Sequence, residues 1–297
     1  MDKTTEKQIG ALGLCAFSVI AVLFLPQTGW PGTVLVTGLS MLVAVFGKSV
    51  GIGTDGRFVK IASTPIFVWN LIIIGKLGWE LCSVIGVESA LPAVILLLLG
   101  GYAVKKGVVP VVGAVLMFFL VAIYGSMYVF ALLAGNIENL MPTVGKTENL
   151  AYGFLPMILL YMYIGERRER GVWALGGMAL ALGATLVTAA VGAEDFYSAA
   201  KSINLFGTME RWEPLVGVAV TGGGFCLLSL VLSVNKSIWE NVWNRKKNFP
   251  TEILVAICIG TVFAARKVGD GFWALGTTVC WGLFPILTQF VVHKKKD

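Results

Sequence analysis

Long apolar runs, separated by short polar or Pro- and Gly-containing stretches, dominate the pattern of the chain. The runs cover approximately 9–25, 31–47, 62–86, 89–104, 108–134, 149–165, 171–192, 209–235, 251–265 and 271–292. A helix needs about 20 residues, at about 1.5 Å of rise each, to cross the hydrocarbon core of a bilayer. The pattern therefore predicts ten membrane-spanning helices, of which the shorter ones cross with little tilt or extend into the loops.

Composition supports a membrane protein and excludes several other classes. Of 297 residues, 57% are hydrophobic and only 13% are charged, and the mean hydropathy is +0.82. A soluble chain of this length has too much surface to hide so many apolar side chains. The same numbers exclude a secreted disulfide scaffold, a disordered chain and a nucleic-acid-binding protein. We therefore expect an all-α integral membrane protein of the cell membrane, in contact with lipid.

The residues needed for common enzyme chemistry are missing from the sequence. His293 is the only histidine, so neither a usual zinc site nor a Ser-His-Asp triad can be assembled. The sequence contains no G-x-S-x-G, Walker A or H-E-x-x-H motif. All five cysteines lie in apolar runs without a C-x-x-C pair, which predicts buried, reduced thiols: Cys15, Cys82, Cys226, Cys258 and Cys280. We expect a protein that is not an enzyme and has no cofactor or metal.

The basic residues predict the orientation of the helices. Of the 23 Lys and Arg residues, 17 lie on the side of the N-terminus, 5 lie on the other side, and Lys76 lies within an apolar segment. Under the positive-inside rule this bias places both termini in the cytoplasm, with an even number of spans.

Ten spans divide into two repeats of five. Because a repeat with an odd number of spans begins and ends on opposite sides of the membrane, the second repeat has the inverted orientation. This inverted-repeat plan is typical of secondary transporters. The two halves are 9–134 and 149–292, and the division falls in the predicted outside loop 135–148.

Two segments carry residues that interrupt a helix. Asn149, Gly153 and Pro156 interrupt the sixth segment, either as a simple proline kink or as a break that opens the backbone to a ligand. The first segment has Gly10 and Gly13 near its start, with Ser18 as its polar residue near the middle. We expect both segments to be interrupted halfway across the membrane.

The third segment carries two charges inside an apolar run. Lys76 and Glu80 are i, i+4 neighbours on one helical face. A lysine at the bilayer centre costs about 2.5–3.5 kcal/mol on insertion scales, so it is a candidate binding or proton-titrating group. The alternative is a mutually neutralised structural pair. The order Lys then Glu is the poorer one for an intrahelical pair, which leaves room for another partner.

The eighth segment and the stretch before it suggest a cavity wall and a lid. Thr221 and Gly222–Gly224 permit a cavity wall or, alternatively, close helix packing. Residues 194–208 have apolar side chains at helical spacing and form either a lid over the outer mouth or an interfacial helix. Glu210, Arg211 and Glu213 follow, as gating charges or as a helix cap.

Four patches resemble the spore-germination permeases, the B subunits of GerA-type germinant receptors. They are Leu25-Pro26 with Trp30, Tyr102-Ala103-Val104-Lys105-Lys106-Gly107, Asn139-Leu140-Met141-Pro142, and Ser202-Ile203-Asn204-Leu205-Phe206 leading into Glu210-Arg211-x-Glu213. Val108-Val109-Pro110 stand where the family usually has a Glu and an Arg. The order and spacing of the patches cover nearly the whole chain.

The resemblance implies the LeuT fold of the amino acid–polyamine–organocation superfamily. It places a ligand pocket at the broken first and sixth helices, near Ser18, Lys76, Gly153 and Thr221. It implies a permease-like subunit that binds a small nutrient, often an amino acid, and signals spore germination from the spore inner membrane with A-type and C-type partner subunits. The alternatives are a proton- or cation-coupled amino acid transporter, with Lys76 and Glu80 as the coupling pair, and a structural membrane partner without a ligand.

Overall fold

The structure is a computed structural model of the 297-residue chain. It describes residues 3–50, 57–84, 86, 88–134, 146–162, 167–193, 196–202, 204–205, 210–211, 213–243 and 249–294. The division point of the predicted repeats within 135–145 and the Asn139–Pro142 patch lie outside these ranges.

Among the described residues, the regular secondary structure is helical apart from one pair of two-residue strands. Its helices are α1 (Lys3–Leu23), α2 (Trp30–Phe46), α3 (Arg57–Val84), α4 (Leu91–Lys106), α5 (Val109–Ala134), α6 (Leu155–Ile158), α7 (Arg167–Val191), α8 (Phe196–Ser202), α9 (Glu213–Ser237), α10 (Thr251–Ala265), α11 (Asp270–Thr277) and α12 (Phe284–Lys294). The strand β1 (Asn204–Leu205) pairs antiparallel with β2 (Glu210–Arg211).

Within the described ranges, five helices are long and apolar enough to cross a membrane. They span Phe58–Val84, Val109–Val129, Arg170–Val191, Pro214–Val242 and Asp270–Val292. Lys7–Leu23, Trp30–Phe46 and Thr251–Ala265 are shorter apolar helices. These elements support a multi-pass, all-helical membrane protein, and each predicted apolar segment coincides with a helical element to within a few residues, the sixth and eighth segments excepted.

The sixth segment is not a regular helix. A 3₁₀ stretch, Thr147–Phe154, runs into the single turn α6, and a second 3₁₀ stretch, Leu159–Tyr161, follows. Pro156 stands in the first turn of α6, where its missing N–H has no helical acceptor. We call Thr147–Tyr161 the broken segment. The α-helical pattern is interrupted here, as predicted, and the interruption extends over the 3₁₀ stretches on both sides of α6 instead of forming a single kink at Pro156. That this backbone opens to a ligand stays a prediction.

The predicted break in the first segment is wrong, because α1 runs without interruption for 21 residues. Gly10 accommodates the indole of Trp173, and Gly13 accommodates the side chain of Leu159, so both glycines serve helix packing. The helix ends at Leu23. The chain then turns through Gly29, whose φ of 78° strongly favours glycine.

The start of the eighth segment also differs from the prediction. Residues 210–211 form β2, and α9 begins only at Glu213, with Pro214 in its first turn. The helix then continues beyond the predicted end as a π-helical stretch, Ile238–Val242. A second π-helical stretch, Thr278–Leu283, joins α11 to α12. Such stretches are rare in proteins, and those that occur often lie near functional sites.

Helix α1 lies at the centre of the bundle and packs against α5, α7 and α9. Small residues bring these helices close together. A Cβ added at Gly113 would lie 2.7 Å from Leu12 Cα, and one at Gly223 would lie 2.5 Å from Val19 Cγ2. Without a hydrophobic driving force between helices in lipid, such close packing is a main source of their association.

A buried polar chain joins three helical elements on the other side of the core. Trp281 Nε1 donates to Asn70 Oδ1 at 2.8 Å, and Asn70 Nδ2 donates to Asn235 Oδ1 at 2.8 Å. Asn235 Nδ2 completes the chain by donating to the carbonyl oxygen of Phe67 at 3.2 Å. All three polar side chains are fully buried, so the network connects α3, α9 and the second π-helical stretch.

Candidate functional site

A polar cavity of about 500 Å³ opens at one end of the bundle, which we call the cavity end. The last residues of α1, the C-terminal half of α3, the start of the broken segment, α8 and the first residue of α11 line it. In the orientation that the basic residues predict, these elements meet on the outer side.

Lys76 is the centre of an ionic cluster in the cavity. Its Nζ lies 2.6 Å from Glu80 Oε1 and 2.9 Å from Asp270 Oδ1. The Lys76 side chain is only 12% exposed, whereas Glu80 and Asp270 are 29% and 65% exposed. A largely buried ammonium needs close partners that replace water. We call Lys76, Glu80 and Asp270 the ionic cluster.

Asp270 is the member of the cluster that sequence reasoning missed. The second partner that the Lys-then-Glu order leaves room for comes from the first turn of α11, 194 residues away along the chain. The only local signal is an acidic residue at the start of an apolar run, where a carboxylate suits the helix dipole.

The floor of the cavity is built where the end of α1 meets the broken segment. The rings of Phe24 and Tyr152 stack with their centroids 4.1 Å apart. Asn149 Nδ2 donates to Gln27 Oε1 at 3.0 Å, and the Lys146 N–H donates to the Gln27 carbonyl at 2.7 Å. These contacts hold the 3₁₀ stretch against the turn after α1, so that Asn149 and Tyr152 at its start face the cavity.

Helix α8 forms one wall. Its buried Phe196 packs edge-on against Tyr124 and Tyr128, with ring centroids 5.9 Å and 6.0 Å away. Tyr197 and Lys201 line the cavity, and Lys201 Nζ lies 5.1 Å from the Tyr197 ring centroid. The predicted short helix within 194–208 is therefore present at the cavity mouth.

Among the residues that the structure describes, the charges that line the cavity balance. The basic residues are Lys76, Lys146 and Lys201, and the acidic residues are Glu80, Glu148 and Asp270. The cavity therefore offers both signs of charge above an aromatic floor, an arrangement that suits a ligand carrying both an anionic and a cationic group.

The structure brings three predicted ligand-binding residues together at this cavity: Lys76, Glu80 and Asn149. The remaining four are not among its lining residues. Ser18 Oγ donates to the Cys15 carbonyl within α1, and Thr221 Oγ1 donates to the Gly217 carbonyl within α9. A Cβ added at Gly153 would meet Val36, and one at Gly222 would meet Leu116. These glycines lie at helix contacts.

The predicted gating residues fall in two places. Pro156 lies in α6, away from the cavity. The backbone of Glu210 and Arg211 forms β2, and Glu213 begins α9; the side chains of these three residues lie outside the described part of the structure.

Residues 47–50, which we call the end loop, lie at the opposite end of the bundle, against the end of the broken segment. Lys48 N–H donates to Gln289 Oε1 at 2.7 Å, and Gln289 Nε2 donates to the Lys48 carbonyl at 2.8 Å. Val50 N–H donates to the Leu160 carbonyl at 2.7 Å, and Arg170 Nη1 donates to the Gly47 carbonyl at 2.6 Å. The loop is thus tied to α7, α12 and the broken segment.

No protein-family model matches the chain, and no curated protein matches it.

Proposed function

We propose that the chain is a ten-helix, permease-like protein of the LeuT type, with both termini in the cytoplasm, that binds a small zwitterion such as an amino acid in the cavity at its outer end. The helical, apolar architecture and the broken segment beside the cavity support this proposal. Free backbone groups of interrupted helices are the usual binding elements in such proteins.

The charge-balanced cavity is the observation that carries the proposal. A ligand carboxylate that approaches Lys76 takes the place of Asp270, which is the more exposed of its two partners. The ligand ammonium group then finds Asp270, Glu80 or Glu148 on the same walls. The stacked rings of Phe24 and Tyr152 provide an apolar contact for a small side chain.

We propose that ligand binding signals spore germination together with A-type and C-type subunits. The resemblance of the sequence patches to the germination permeases supports this role. An open cavity at one end of the bundle, with the hydrogen-bonded end loop at the other, suits a sensor of an external nutrient. Co-purification with A-type and C-type subunits tests the assembly, and a chain that never associates with them contradicts it.

The runner-up function is a proton- or cation-coupled amino acid transporter. The observation that favours it is the ionic cluster, because ionisable groups inside membrane helices commonly form proton or ion relays. In that case Lys76, Glu80 and Asp270 exchange a coupling ion during transport, and the end loop must open.

Binding and uptake, measured on the same full-length protein, separate the two functions. Purified protein is screened with radiolabelled amino acids, and proteoliposomes are assayed for uptake with and without a pH gradient. A receptor binds saturably without uptake, whereas a coupled transporter accumulates its substrate when the gradient is present.

A matched pair of variants ties the result to the cavity. We expect Lys76→Met to weaken binding by at least about tenfold, the effect of one lost charge-assisted hydrogen bond. Lys105→Met is the control, because Lys105 pairs with Glu252 on the surface, away from the cavity. Wild-type affinity in Lys76→Met contradicts the proposed site.

A further inference from the structure

One helical segment connects the cavity to the end loop. Helix α11, the second π-helical stretch and α12 follow one another without a gap from Asp270 to Lys294, and we call them together the connecting segment. The part Asp270–Val292 has 23 residues and is long enough to cross a membrane, with a length of about 35 Å at about 1.5 Å per residue. A single element therefore reaches from one end of the bundle to the other.

The first residue of the connecting segment belongs to the cavity. Asp270 lines the cavity, and its Oδ1 accepts a hydrogen bond from Lys76 Nζ at 2.9 Å. The Asp270 side chain is largely exposed, so it exchanges its partner more readily than a buried carboxylate does. Whatever separates Lys76 from Asp270 therefore changes how α3 holds the start of the connecting segment.

The other end of the connecting segment holds the end loop. The Gln289 side chain accepts a hydrogen bond from the Lys48 N–H at 2.7 Å and donates one to the Lys48 carbonyl at 2.8 Å. The hydroxyl groups of Thr288 and Tyr161 lie 3.1 Å apart, which joins α12 to the last residue of the broken segment. The position of α12 therefore determines whether the end loop keeps its bonds to Gln289.

The middle of the connecting segment is fixed in the core. Trp281 is fully buried and belongs to the polar chain that runs through Asn70 to Asn235. The next residue is Gly282, where an added Cβ would lie 3.3 Å from Phe154 Cδ2 of the broken segment. Because buried polar groups are costly to separate, this point moves less than the two ends. A tilt of the segment about Trp281 displaces both ends together.

We propose that the connecting segment is a conformational link, in which loss of the Lys76–Asp270 pair at the cavity loosens the end loop through a tilt about Trp281. The π-helical hydrogen bonds at this point support the proposal, because such stretches often lie at functional sites. Two sites are coupled when both bias one element with two arrangements. The inference concerns the chain itself and does not depend on the ligand that the cavity binds.

Hydrogen exchange of the full-length protein tests the link without a ligand. Mass spectrometry measures exchange of the Lys48 and Val50 amides, which are bonded to Gln289 and to the Leu160 carbonyl. Their exchange rates report how often the end loop opens. We expect Asp270→Asn to raise the rate at Lys48 by about two- to fivefold, the range for one lost exposed ion pair.

Two comparisons separate the link from a general loss of stability. Glu252→Gln is the matched control, because Glu252 pairs with Lys105 outside the connecting segment and is 69% exposed, against 65% for Asp270. We expect it to leave exchange at the end loop unchanged. Trp281→Phe keeps an aromatic ring but removes the bond to Asn70, and in this background we expect Asp270→Asn to have no further effect.

Three results would each overturn the proposal. The first is wild-type exchange of the end loop in Asp270→Asn. The second is an equal increase in Glu252→Gln. The third is an undiminished effect of Asp270→Asn in the Trp281→Phe background. The comparison of Asp270→Asn with Glu252→Gln is decisive even when Trp281→Phe does not fold. Because no ligand is added, a failure of the link is distinct from a failure of the cavity to bind an amino acid.

Discussion

Lys76 is the residue on which the chemistry of the cavity depends. An ammonium group in an apolar helix is stable only when close carboxylates compensate for lost hydration. Glu80 supplies this compensation from within α3, and Asp270 supplies it from α11. The two carboxylates differ in exposure, so they differ in how much they contribute to stability and how readily they exchange for a ligand.

The two carboxylates are predicted to have unequal effects on stability. We expect Asp270→Asn to change the free energy of unfolding by less than about 1 kcal/mol, because an exposed ion pair is screened by solvent. Glu80→Gln is expected to cost more, about 1–3 kcal/mol, because it removes the less exposed partner of a largely buried charge. Unfolding in sodium dodecyl sulfate measures both, and a larger loss in Asp270→Asn contradicts this account.

Asn70 is predicted to be the main member of the buried polar chain. In Asn70→Leu the indole N–H of Trp281 loses its acceptor and Asn235 loses a donor, which we expect to cost about 1 kcal/mol in a membrane bundle. The exposed Thr64→Val is the control, since Thr64 bonds only within its own helix. Detergent unfolding midpoints decide the comparison; equal midpoints for wild type and Asn70→Leu would argue against the network.

At the scale of the elements, glycines decide how closely the helices approach. Gly223 and Gly224 of α9 face Val19 of α1 and Leu81 of α3. Both contacts agree with the interpretation that the glycines of the eighth segment serve close helix packing. The cavity instead forms where helices end, at the turn after α1 and at the 3₁₀ start of the broken segment.

A pair of glycine substitutions tests the packing. Gly223→Val places its Cβ 2.5 Å from Val19 Cγ2, so we expect a loss of about 1–3 kcal/mol of stability from overpacking. Gly260→Val is the control on α10, where nothing lies within 4 Å of the added Cβ. If thermal melting in detergent shifts equally for both variants, α9 does not pack against α1 as described.

The sequence predicts the elements better than it predicts the contacts between them. Hydropathy places the apolar helices because lipid imposes a long, uninterrupted apolar pattern, and Phe196, Ala199 and Ala200 mark α8 by their spacing. The interruption at Pro156 is visible because proline has no N–H. The glycines of α1 led to the wrong prediction of a break in that helix. In the local sequence, a glycine that interrupts a helix cannot be distinguished from one that makes room for a neighbouring side chain such as Trp173.

The ionic cluster shows why the site is harder to predict than the helices. Lys76 and Glu80 are neighbours along one helix, so the sequence alone predicts their pairing. Asp270 joins them only because α11 packs against α3 and the broken segment, a tertiary arrangement that no local pattern records. For the same reason Ser18 and Thr221 have satisfied hydroxyl groups away from the cavity.

At the scale of the whole molecule, the two ends of the described bundle differ. One end has a charged cavity, and at the other Gln289 and Arg170 hold the end loop. This asymmetry is what a receptor for an external solute requires, and a transporter must reverse it during each cycle. The orientation of the two ends in the membrane therefore bears directly on function.

Labelling of single cysteines by a membrane-impermeant maleimide in intact cells tests orientation and binding together. Ser83→Cys lies at the cavity, and Lys106→Cys, at the end of α4, is the control for the opposite side. We predict that Ser83→Cys reacts from outside, that Lys106→Cys does not, and that an amino acid bound by the purified protein slows the reaction of Ser83→Cys. Reaction of Lys106→Cys but not Ser83→Cys from outside, or an unchanged rate with the bound amino acid, would contradict a zwitterion site in the outer cavity.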